Sequence, residues 1–215
     1  MKRKMKLRTV KKMSDKGLLI VLSGPSGVGK DTVLRHVESE NEDVNVSVSL
    51  TTREMREGEI NGKSYYFVER GYFERKLGED AFLEYAEYGG NLYGTPKAPV
   101  DAMLARGDNV ILEIEVQGAE KIRKLYPDCV SIFILPPSLS VLESRLRGRS
   151  SDDEETILRR LLIAREEIKR CVEYDYIVIN DDVRKAVDEV VGIIRAEALR
   201  TDRNKQKIKE VLNNE

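Results

Sequence analysis

The chain of 215 residues contains no tryptophan, one histidine and two cysteines. Two cysteines cannot build a disulfide scaffold. They are typical of a protein that keeps its thiols free in a reducing compartment. The longest uninterrupted apolar run, Leu18 to Leu22, is far shorter than the roughly 20 residues that a membrane-spanning helix needs. With 40% hydrophobic and 35% charged residues, the composition is that of a globular protein long enough to bury a core.

Charge is distributed unevenly along the chain. Residues 1–16 contain eight Lys or Arg and one Asp, a net charge of +7, and the whole chain has a formal charge of −1, which leaves −8 on residues 17–215. An acidic body repels the phosphates of nucleic acid, so we expect no nucleic-acid partner, and the short apolar runs predict no membrane partner. The basic leader could be a nucleic-acid arm, a targeting segment or a disordered leader without a role. We predict the last, in a cytoplasmic protein.

Hydrophobic periodicity switches between strand and helix along most of the chain. Short apolar runs alternate with amphipathic stretches, which favours a parallel sheet with helical crossovers. The predicted strands are 17–23, 110–116, 129–135 and 176–180. The predicted helices are 30–38, 96–106, 118–125, 138–147, 154–172 and 182–199. The segments 44–50, 65–68 and 82–88 break this alternation, and their polar–apolar pattern predicts an inserted sheet of half-exposed, antiparallel strands.

A glycine-rich turn, Gly24-Pro-Ser-Gly-Val-Gly-Lys30, follows the first predicted strand and precedes the first predicted helix. This G-x-x-x-x-G-K spacing predicts a phosphate-binding loop, because glycines let backbone N–H groups turn toward phosphate oxygens and the lysine adds a full charge. The alternative is a glycine-rich tight turn. The predicted ATP-binding residues of this region are Ser26, Gly27, Val28, Gly29, Lys30, Asp31 and Thr32.

The position after the lysine departs from the general motif, which has Ser or Thr there to face Mg²⁺. Here it is Asp31, followed by Thr32. The carboxylate could meet the metal directly or through water, or it could point away while Thr32 contributes. The phosphate cradle does not depend on this choice, so we expect Mg²⁺ as the cofactor and leave its ligands open.

The most specific stretch is 47–67, Ser-Val-Ser-Leu-Thr-Thr-Arg-Glu-Met-Arg-Glu-Gly-Glu-Ile-Asn-Gly-Lys-Ser-Tyr-Tyr-Phe. Together with the glycine-rich loop it closely resembles the guanylate kinase family, and the resemblance covers about residues 17–200. Further matches are Glu84-Tyr-Ala86, Asn91-Leu-Tyr-Gly-Thr95, Leu112-Glu-Ile-Glu-Val-Gln-Gly118, Gly148-Arg149 and Ile179-Asn-Asp-Asp182.

An acceptor monophosphate is a dianion, and arginine suits it because its planar guanidinium stays charged and can bind two oxygens. Arg53 and Arg56 lie three residues apart after a strand, so both could face one phosphate. Two arginines could equally belong to a solvated turn. The resemblance implies that both bind the phosphate of GMP, together with the hydroxyls of Tyr65 and Tyr93.

Selection of the base is a second requirement. Guanine presents N1–H and N2–H as adjacent donors and O6 as an acceptor, whereas adenine presents an acceptor at N1; a carboxylate accepts both guanine donors and a hydroxyl can donate to O6. The resemblance implies that Glu84 is this carboxylate and Ser49 this hydroxyl, with Thr95 assisting. Taken alone, a glutamate on an alternating strand is more typical of a solvated face.

Two glutamates, Glu113 and Glu115, lie two residues apart at a predicted strand end, which would place them on one face. The resemblance implies that Glu115 lies near GMP and the metal-bound water, and an ordinary acidic strand edge is the alternative. Gly118 would allow close approach of the backbone.

Arginines cluster within and after the predicted helix 138–147. Movable arginines that close over a transferred phosphoryl group would stabilise its charge and exclude water. The resemblance implies this role for Arg149 and Arg160, with Arg145 a third candidate. For Arg147 and Arg159 the alternative is salt bridges between residues four apart along two helices. The resemblance also implies that Asn180 contacts the adenine of ATP, and a helix cap is the alternative there.

We therefore predict an α/β fold: a P-loop NTPase core with a parallel sheet flanked by helices, an inserted small mixed β subdomain that binds GMP, and a helical lid. The predicted segments are a leader 1–16, a core of 17–46, 98–137 and 161–200, an insertion 47–97, a lid 138–160 and a C-terminal helical tail 201–215.

The predicted reaction is the Mg²⁺-dependent transfer of a phosphoryl group from ATP to GMP, giving ADP and GDP in purine nucleotide metabolism. Its expected catalytic residues are Lys30, Arg53, Arg149 and Arg160. Three alternatives are a silent binding module of the same family, a sugar-phosphate kinase and a nucleic-acid-binding P-loop protein. The sequence leaves open whether the chain is a monomer or a homodimer.

Overall fold

The computed structural model describes residues 16–148 and 153–213. Its strands are β1 Leu19–Ser23, β2 Val44–Val46, β3 Leu50–Thr51, β4 Tyr66–Phe67, β5 Phe82–Tyr88, β6 Asn91–Pro96, β7 Asn109–Glu113, β8 Val130–Leu135 and β9 Tyr176–Ile179. Its helices are α1 Lys30–Glu40, α2 Arg70–Gly78, α3 Lys97–Ala105, α4 Val116–Leu125, α5 Leu139–Arg147, α6 Glu154–Lys169, α7 Val183–Ala198 and α8 Lys205–Leu212. Short 3₁₀ turns lie at Arg170–Glu173 and Thr201–Asn204.

The larger sheet has five strands in the order β2-β7-β1-β8-β9, and every pair is parallel. All five residues of β1 are buried, as a central strand of a sheet covered on both faces requires. The predicted parallel sheet with helical crossovers is confirmed.

Helices cover both faces of this sheet. On one face Ile20 packs with Val33 of α1 and Val190 of α7, and on the other Val21 packs with Ile122 of α4. Because β1 and its neighbour β7 run in the same direction, their carboxyl ends meet at one edge, where the glycine-rich loop leaves β1. Open parallel sheets bind ligands at such an edge.

The smaller sheet has the order β4-β3-β6-β5 and is mixed, since β3 is parallel to β4 and antiparallel to β6. Its own core contains Phe73 and Phe82, whose rings stack with centroids 4.5 Å apart. A Cβ on Gly94 would lie 2.8 Å from Phe82 and 2.9 Å from Phe73, so glycine is needed where the rings cross β6. The helix α2, which carries Phe73, and the strand β6 were not predicted from the sequence.

The interpretation of segment 44–50 as one strand of the inserted sheet was wrong. Residues Val44–Val46 form β2, which is parallel to β7 in the larger sheet, and only Leu50–Thr51 join the smaller one. An alternating pattern predicts a half-buried strand but does not select the strand that it pairs with. Here the partner is β7. The pairing continues one residue beyond β2, because the Ser47 N–H donates to the Ile111 carbonyl at 2.9 Å.

Several element ends differ from the sequence prediction. The strand β7 ends at Glu113 because Glu115 takes the N-cap position of α4, and α6 ends at Lys169, where the chain tightens into a 3₁₀ turn. Of the predicted leader, only residue 16 lies among the described residues. No helix in the described part of the chain is long and apolar enough to cross a membrane.

Candidate functional site

The glycine-rich loop joins the end of β1 to the start of α1. Gly29 is the N-cap of α1 with φ 96°, and Gly27 has φ 85°, a region that side chains other than glycine rarely adopt. A Cβ on Gly27 would lie 2.7 Å from Leu146, and one on Gly29 would lie 2.7 Å from Asn180. No side chain among the described residues caps the first turn of α1, so its backbone N–H groups face outward as an anion site.

The lysine of the loop is half-buried and folded back over it. Lys30 donates through Nζ to the Gly24 carbonyl at 2.7 Å and to the Pro25 carbonyl at 3.5 Å. Ser26 is exposed at the tip of the loop, and Thr32 accepts a hydrogen bond from Arg35 at 3.4 Å. The ammonium group is therefore held where a phosphate seated on the loop would meet it.

Two acids meet beside this lysine at the carboxyl end of β7. Burial raises the pKa of Glu113 to about 7, Lys30 opposes that rise, and the nearby carboxyl of Asp31, to which Glu113 is hydrogen-bonded, adds to it. A buried carboxyl next to another carboxyl keeps a proton near neutral pH unless a cation joins the pair.

The expectation that Glu113 and Glu115 share a strand face was wrong. Glu115 lies beyond the end of β7, at the N-cap of α4, and forms a carboxyl–carboxyl hydrogen bond with Glu167 of α6. Burial raises the pKa of Glu167 to about 7, and Glu115 adds to the rise. Glu167 could not be identified from the sequence, because a glutamate on an amphipathic helix is usually solvated.

The donor set near the loop fits a magnesium ion that is held mainly by substrate. Within the described residues no group of three His, Cys, Asp or Glu side chains is placed to hold a metal. Mg²⁺ in nucleotide sites usually takes one or two carboxylates, phosphate oxygens and water. Asp31 and Glu113 supply two adjacent carboxyl groups beside the phosphate loop, which meets that requirement.

A second group of predicted anion-binding residues lies beside the smaller sheet, around Arg53, two residues after β3. Its guanidinium donates to both carboxylate oxygens of Glu59, at 3.0 and 2.7 Å, and to the Glu54 carbonyl at 2.6 Å. It also lies 5.6 Å from the ring centroids of Tyr65 and Phe67. The Arg53 guanidinium holds the pKa of Glu59 below its usual range, and Glu59 was not identified from the sequence.

The other predicted phosphate ligands surround this arginine. Tyr65 and Tyr93 meet edge to face with centroids 5.9 Å apart, and burial raises the pKa of Tyr65 to about 12, so its hydroxyl stays a donor. The side chain of Arg56 is exposed, and its backbone N–H donates to Glu59 at 2.7 Å. Arg53 and Arg56 are therefore held by one carboxylate.

The predicted base-reading residues form a row across β5, β6 and the residue before β3. A β-bulge between Phe82 and Glu84 places Glu84 opposite Thr95, whose hydroxyl donates to the Glu84 carboxylate at 2.7 Å. Leu50 pairs with Gly94, so Ser49, one residue earlier, lies level with Thr95. Glu84 is only 8% exposed, and burial raises its pKa while Thr95 and Lys121 oppose the rise. The solvated-face alternative for Glu84 was wrong.

The strand β6 connects this row with the arginine site. Tyr93 and Thr95 are two residues apart on β6, so they share one face of the sheet at a separation of about 7 Å. One end of a ligand lying along β6 would meet Arg53 and the tyrosines, and its other end would meet Glu84, Thr95 and Ser49.

Asn180 and Arg145 support the phosphate loop from behind. Asn180 is 2% exposed and donates to the Val28 carbonyl at 2.7 Å, and Arg145 donates to the Val28 carbonyl at 3.1 Å and to the Asn180 carbonyl at 2.9 Å. The cap of α7 is Asp182, which accepts from Lys185, so the helix-cap alternative for Asn180 was wrong. A contact of Asn180 with adenine stays a prediction.

The other arginines of the predicted lid lie partly outside the described residues. Arg149 lies outside the described residues, and Arg160 is half-buried on α6. Arg147 forms ion pairs with Glu143, one turn earlier, and with Glu154 of α6, so the salt-bridge interpretation is confirmed for it. The roles of Arg149 and Arg160 stay predictions.

These features define a class of protein. A phosphate-binding loop at the carboxyl edge of a parallel sheet, with an arginine and tyrosine cluster beside an inserted sheet, is the arrangement of a P-loop kinase that brings two phosphorylated substrates together.

Comparison with known proteins specifies the family. The family model described as guanylate kinase matches residues 16–197. A guanylate kinase from Carboxydothermus hydrogenoformans is 50% identical over 188 residues, which cover 87% of this chain and 92% of that protein. One from Synechocystis sp. is 49% identical over 184 residues, covering 86% and 96%. The crystal structure of guanylate kinase from Anaplasma phagocytophilum superposes with a TM-score of 0.74 at 38% identity, covering 87% and 89%. The chain belongs to the guanylate kinase family.

Proposed function

We propose that this chain transfers the γ-phosphoryl group of ATP to the phosphate of GMP, giving ADP and GDP. The observation that carries the proposal is the row of Glu84, Thr95 and Ser49. A buried carboxylate can accept from guanine N1–H and N2–H, and a neighbouring hydroxyl can donate to O6. A sugar-phosphate kinase has no use for this row.

The phosphate of GMP binds at the arginine site in this proposal. The dianion meets the guanidinium of Arg53, with Arg56 and the hydroxyls of Tyr65 and Tyr93 as further donors. These contacts lie about 7 Å along β6 from the base-reading row, so a single nucleotide monophosphate spans both.

ATP binds with its phosphates on the glycine-rich loop. The backbone N–H groups at the start of α1 and the ammonium of Lys30 contact phosphate oxygens. Mg²⁺, when bound with ATP, neutralises phosphate charge. Asp31 and Glu113 are the residues that would hold it, directly or through water, and Thr32 is a third candidate.

The transfer itself needs positioning and charge stabilisation rather than a base. The oxygen of GMP that attacks is already an anion, so no proton must be removed from it, and the bond from the γ-phosphorus to ADP breaks as the new P–O bond forms. We assign charge stabilisation to Lys30, Arg53, Arg149 and Arg160, and closure over the site to the insertion 47–97 and the lid 138–160. The reaction places the protein in purine nucleotide metabolism, and we propose a cytoplasmic location.

The test is ADP formation from ATP and Mg²⁺ with GMP, AMP, UMP or ribose 5-phosphate offered in separate reactions. Turnover with GMP, at least about 10²-fold slower in Lys30→Ala, is the expected result. Turnover with the sugar phosphate would replace the proposal with a sugar-phosphate kinase. GMP binding without turnover would make the chain a binding module.

A further inference from the structure

The base-reading glutamate lies between two parts of the molecule. Its strand β5 belongs to the smaller sheet, but its side chain contacts α4, the helix that follows β7 in the larger sheet. Helix α4 begins next to the acids beside the phosphate loop. The position of the Glu84 carboxylate is therefore set by the core as well as by its own sheet.

The contact on α4 is made by a glycine. Gly118 is buried in the first turn of α4, and a Cβ placed on it would lie 2.7 Å from Oε2 of Glu84, 3.2 Å from Cδ and 3.6 Å from Cγ. Ordinary contact begins at about 3.4 Å, so a methyl group there would push the carboxylate away by about 0.7 Å. Binding groups must be held to within about 0.5 Å of the productive geometry.

The same helix fixes the strand beside Glu84. Lys121, one turn after Gly118, donates to the Tyr85 carbonyl at 3.0 Å, and its ammonium lies 5.0 Å from the centroid of the Tyr85 ring. Tyr85, the residue after Glu84, is thus bound to α4, while the Glu84 side chain itself contacts Gly118. The strand cannot slide away to make room for a larger side chain at position 118 without losing that bond.

We propose that Gly118 is a positioning residue for guanine recognition: its missing side chain provides the space in which the Glu84 carboxylate is held in line with Thr95. The inference rests on the proposed function, because it assumes that Glu84 binds guanine. It implies that the core helix, and not only the inserted sheet, determines which base is accepted.

The substitution Gly118→Ala separates this role from a structural one. Position 118 is helical without a positive φ, so alanine suits the backbone, and the atom that must move is the end of a flexible side chain. Gly192→Ala is the matched control, since Gly192 also lies within a helix and a Cβ there meets nothing within 4 Å. Both variants are expected to melt no lower than the unmodified chain.

Calorimetric titration with GMP and IMP provides the readout. IMP lacks the 2-amino group, so it makes one fewer bond to the carboxylate. In Gly118→Ala we expect the Kd for GMP to rise about 10- to 100-fold and the Kd for IMP to rise less. The Kd for ATP should stay unchanged, and Gly192→Ala should change none of these values. In a Glu84→Gln background the added Gly118→Ala should cost little, because its effect acts through the carboxylate.

The outcomes distinguish the two proposals. If the unmodified chain does not bind GMP, the proposed function fails. If it binds GMP and Gly118→Ala binds it equally well, or loses GMP and IMP in equal proportion, the inference about Gly118 is wrong. An equal loss in the Glu84→Gln background would also overturn it, since Gly118 would then act through something else.

Discussion

Replacing Glu84 by glutamine should change which base the enzyme accepts. The carboxylate offers two acceptors to guanine N1–H and N2–H, whereas the carboxamide offers one acceptor and one donor. The amide N–H would face a guanine N–H, so one bond is lost and two donors are opposed. Adenine in the same pose presents an acceptor at N1, which the carboxamide N–H can meet. Its N6 amino group lies where guanine O6 does, opposite the Ser49 hydroxyl, which can accept from it.

The size of the effect follows from the environment of the side chain. Glu84 is 8% exposed, so water cannot replace the lost bond. A hydrogen bond to a charged group contributes about 1.5–3 kcal/mol, and an opposed buried donor costs a further 1–3 kcal/mol or so. Together these predict a fall in kcat/KM for GMP of about 10²–10⁴-fold, with a rise for AMP of at least about tenfold.

Stability should change in the opposite direction to activity. Burial raises the pKa of Glu84, which shows that its charged form is poorly solvated, and a neutral isostere avoids that cost. The amide oxygen can still accept the Thr95 hydroxyl. We therefore expect Glu84→Gln to melt at or above the temperature of the unmodified chain.

Steady-state rates with GMP and AMP, at saturating ATP and Mg²⁺, would measure the change. Glu87→Gln is the matched control, because Glu87 lies on the same strand but is exposed, and its rates should not change. If Glu84→Gln keeps its kcat/KM for GMP within a few-fold, Glu84 does not read the guanine edge. If it loses activity only because it unfolds, the thermal melt will reveal this.

Three further predictions concern the phosphate side. Glu59→Gln frees Arg53 from its two-oxygen partner, so we expect the KM for GMP to rise about 5- to 20-fold with kcat little changed; a lower KM would show instead that Glu59 competes with the substrate phosphate. Glu113, with its pKa raised to about 7, keeps a proton in the native chain that the unfolded chain has lost above its ordinary pKa of 4.5. Its contribution to the free energy of unfolding therefore falls by up to about 3 kcal/mol as pH rises from 4.5 to 7. Urea titrations at pH 5 and pH 8 should show that the free energy of unfolding falls less between these pH values in Glu113→Gln than in the unmodified chain. Equal falls in the two proteins would refute this. Asp31→Ala removes the carboxylate without supplying the hydroxyl of the general motif, so it should raise the Mg²⁺ concentration for half-maximal rate several-fold, and an unchanged requirement would exclude a direct contact with the metal.

The sequence was sufficient for features that depend on neighbours along the chain. The loop 24–30, its preceding strand and its following helix are set by glycines, a buried apolar run and helical periodicity within about 25 residues. The parallel sheet follows from the same alternation. Where the sequence prediction failed, as for β2, the pairing partner is some 65 residues away, as in the pairing of Val44 with Asn109.

The predicted base-reading residues could be named by resemblance, but their arrangement could not be derived from the sequence. Glu84 alone reads as a solvated residue, and only the bulge in β5 turns it toward Thr95. Glu115 and Glu167, which are neighbours in the structure, lie at the start of α4 and on α6. No local sequence pattern predicts such a pair.

The sequence by itself thus determined the phosphate loop, because its chemistry resides in the backbone of one short segment. Glycines and a lysine make such a loop where a strand precedes them and a helix follows. What the tertiary structure alone decided is the meeting of side chains from distant segments. The pairing of Glu115 with Glu167, and the contact of Gly118 with Glu84, depend on strand register and helix packing. A shift of one residue in a strand turns every side chain to the opposite face, so these contacts exist only once the whole fold has formed.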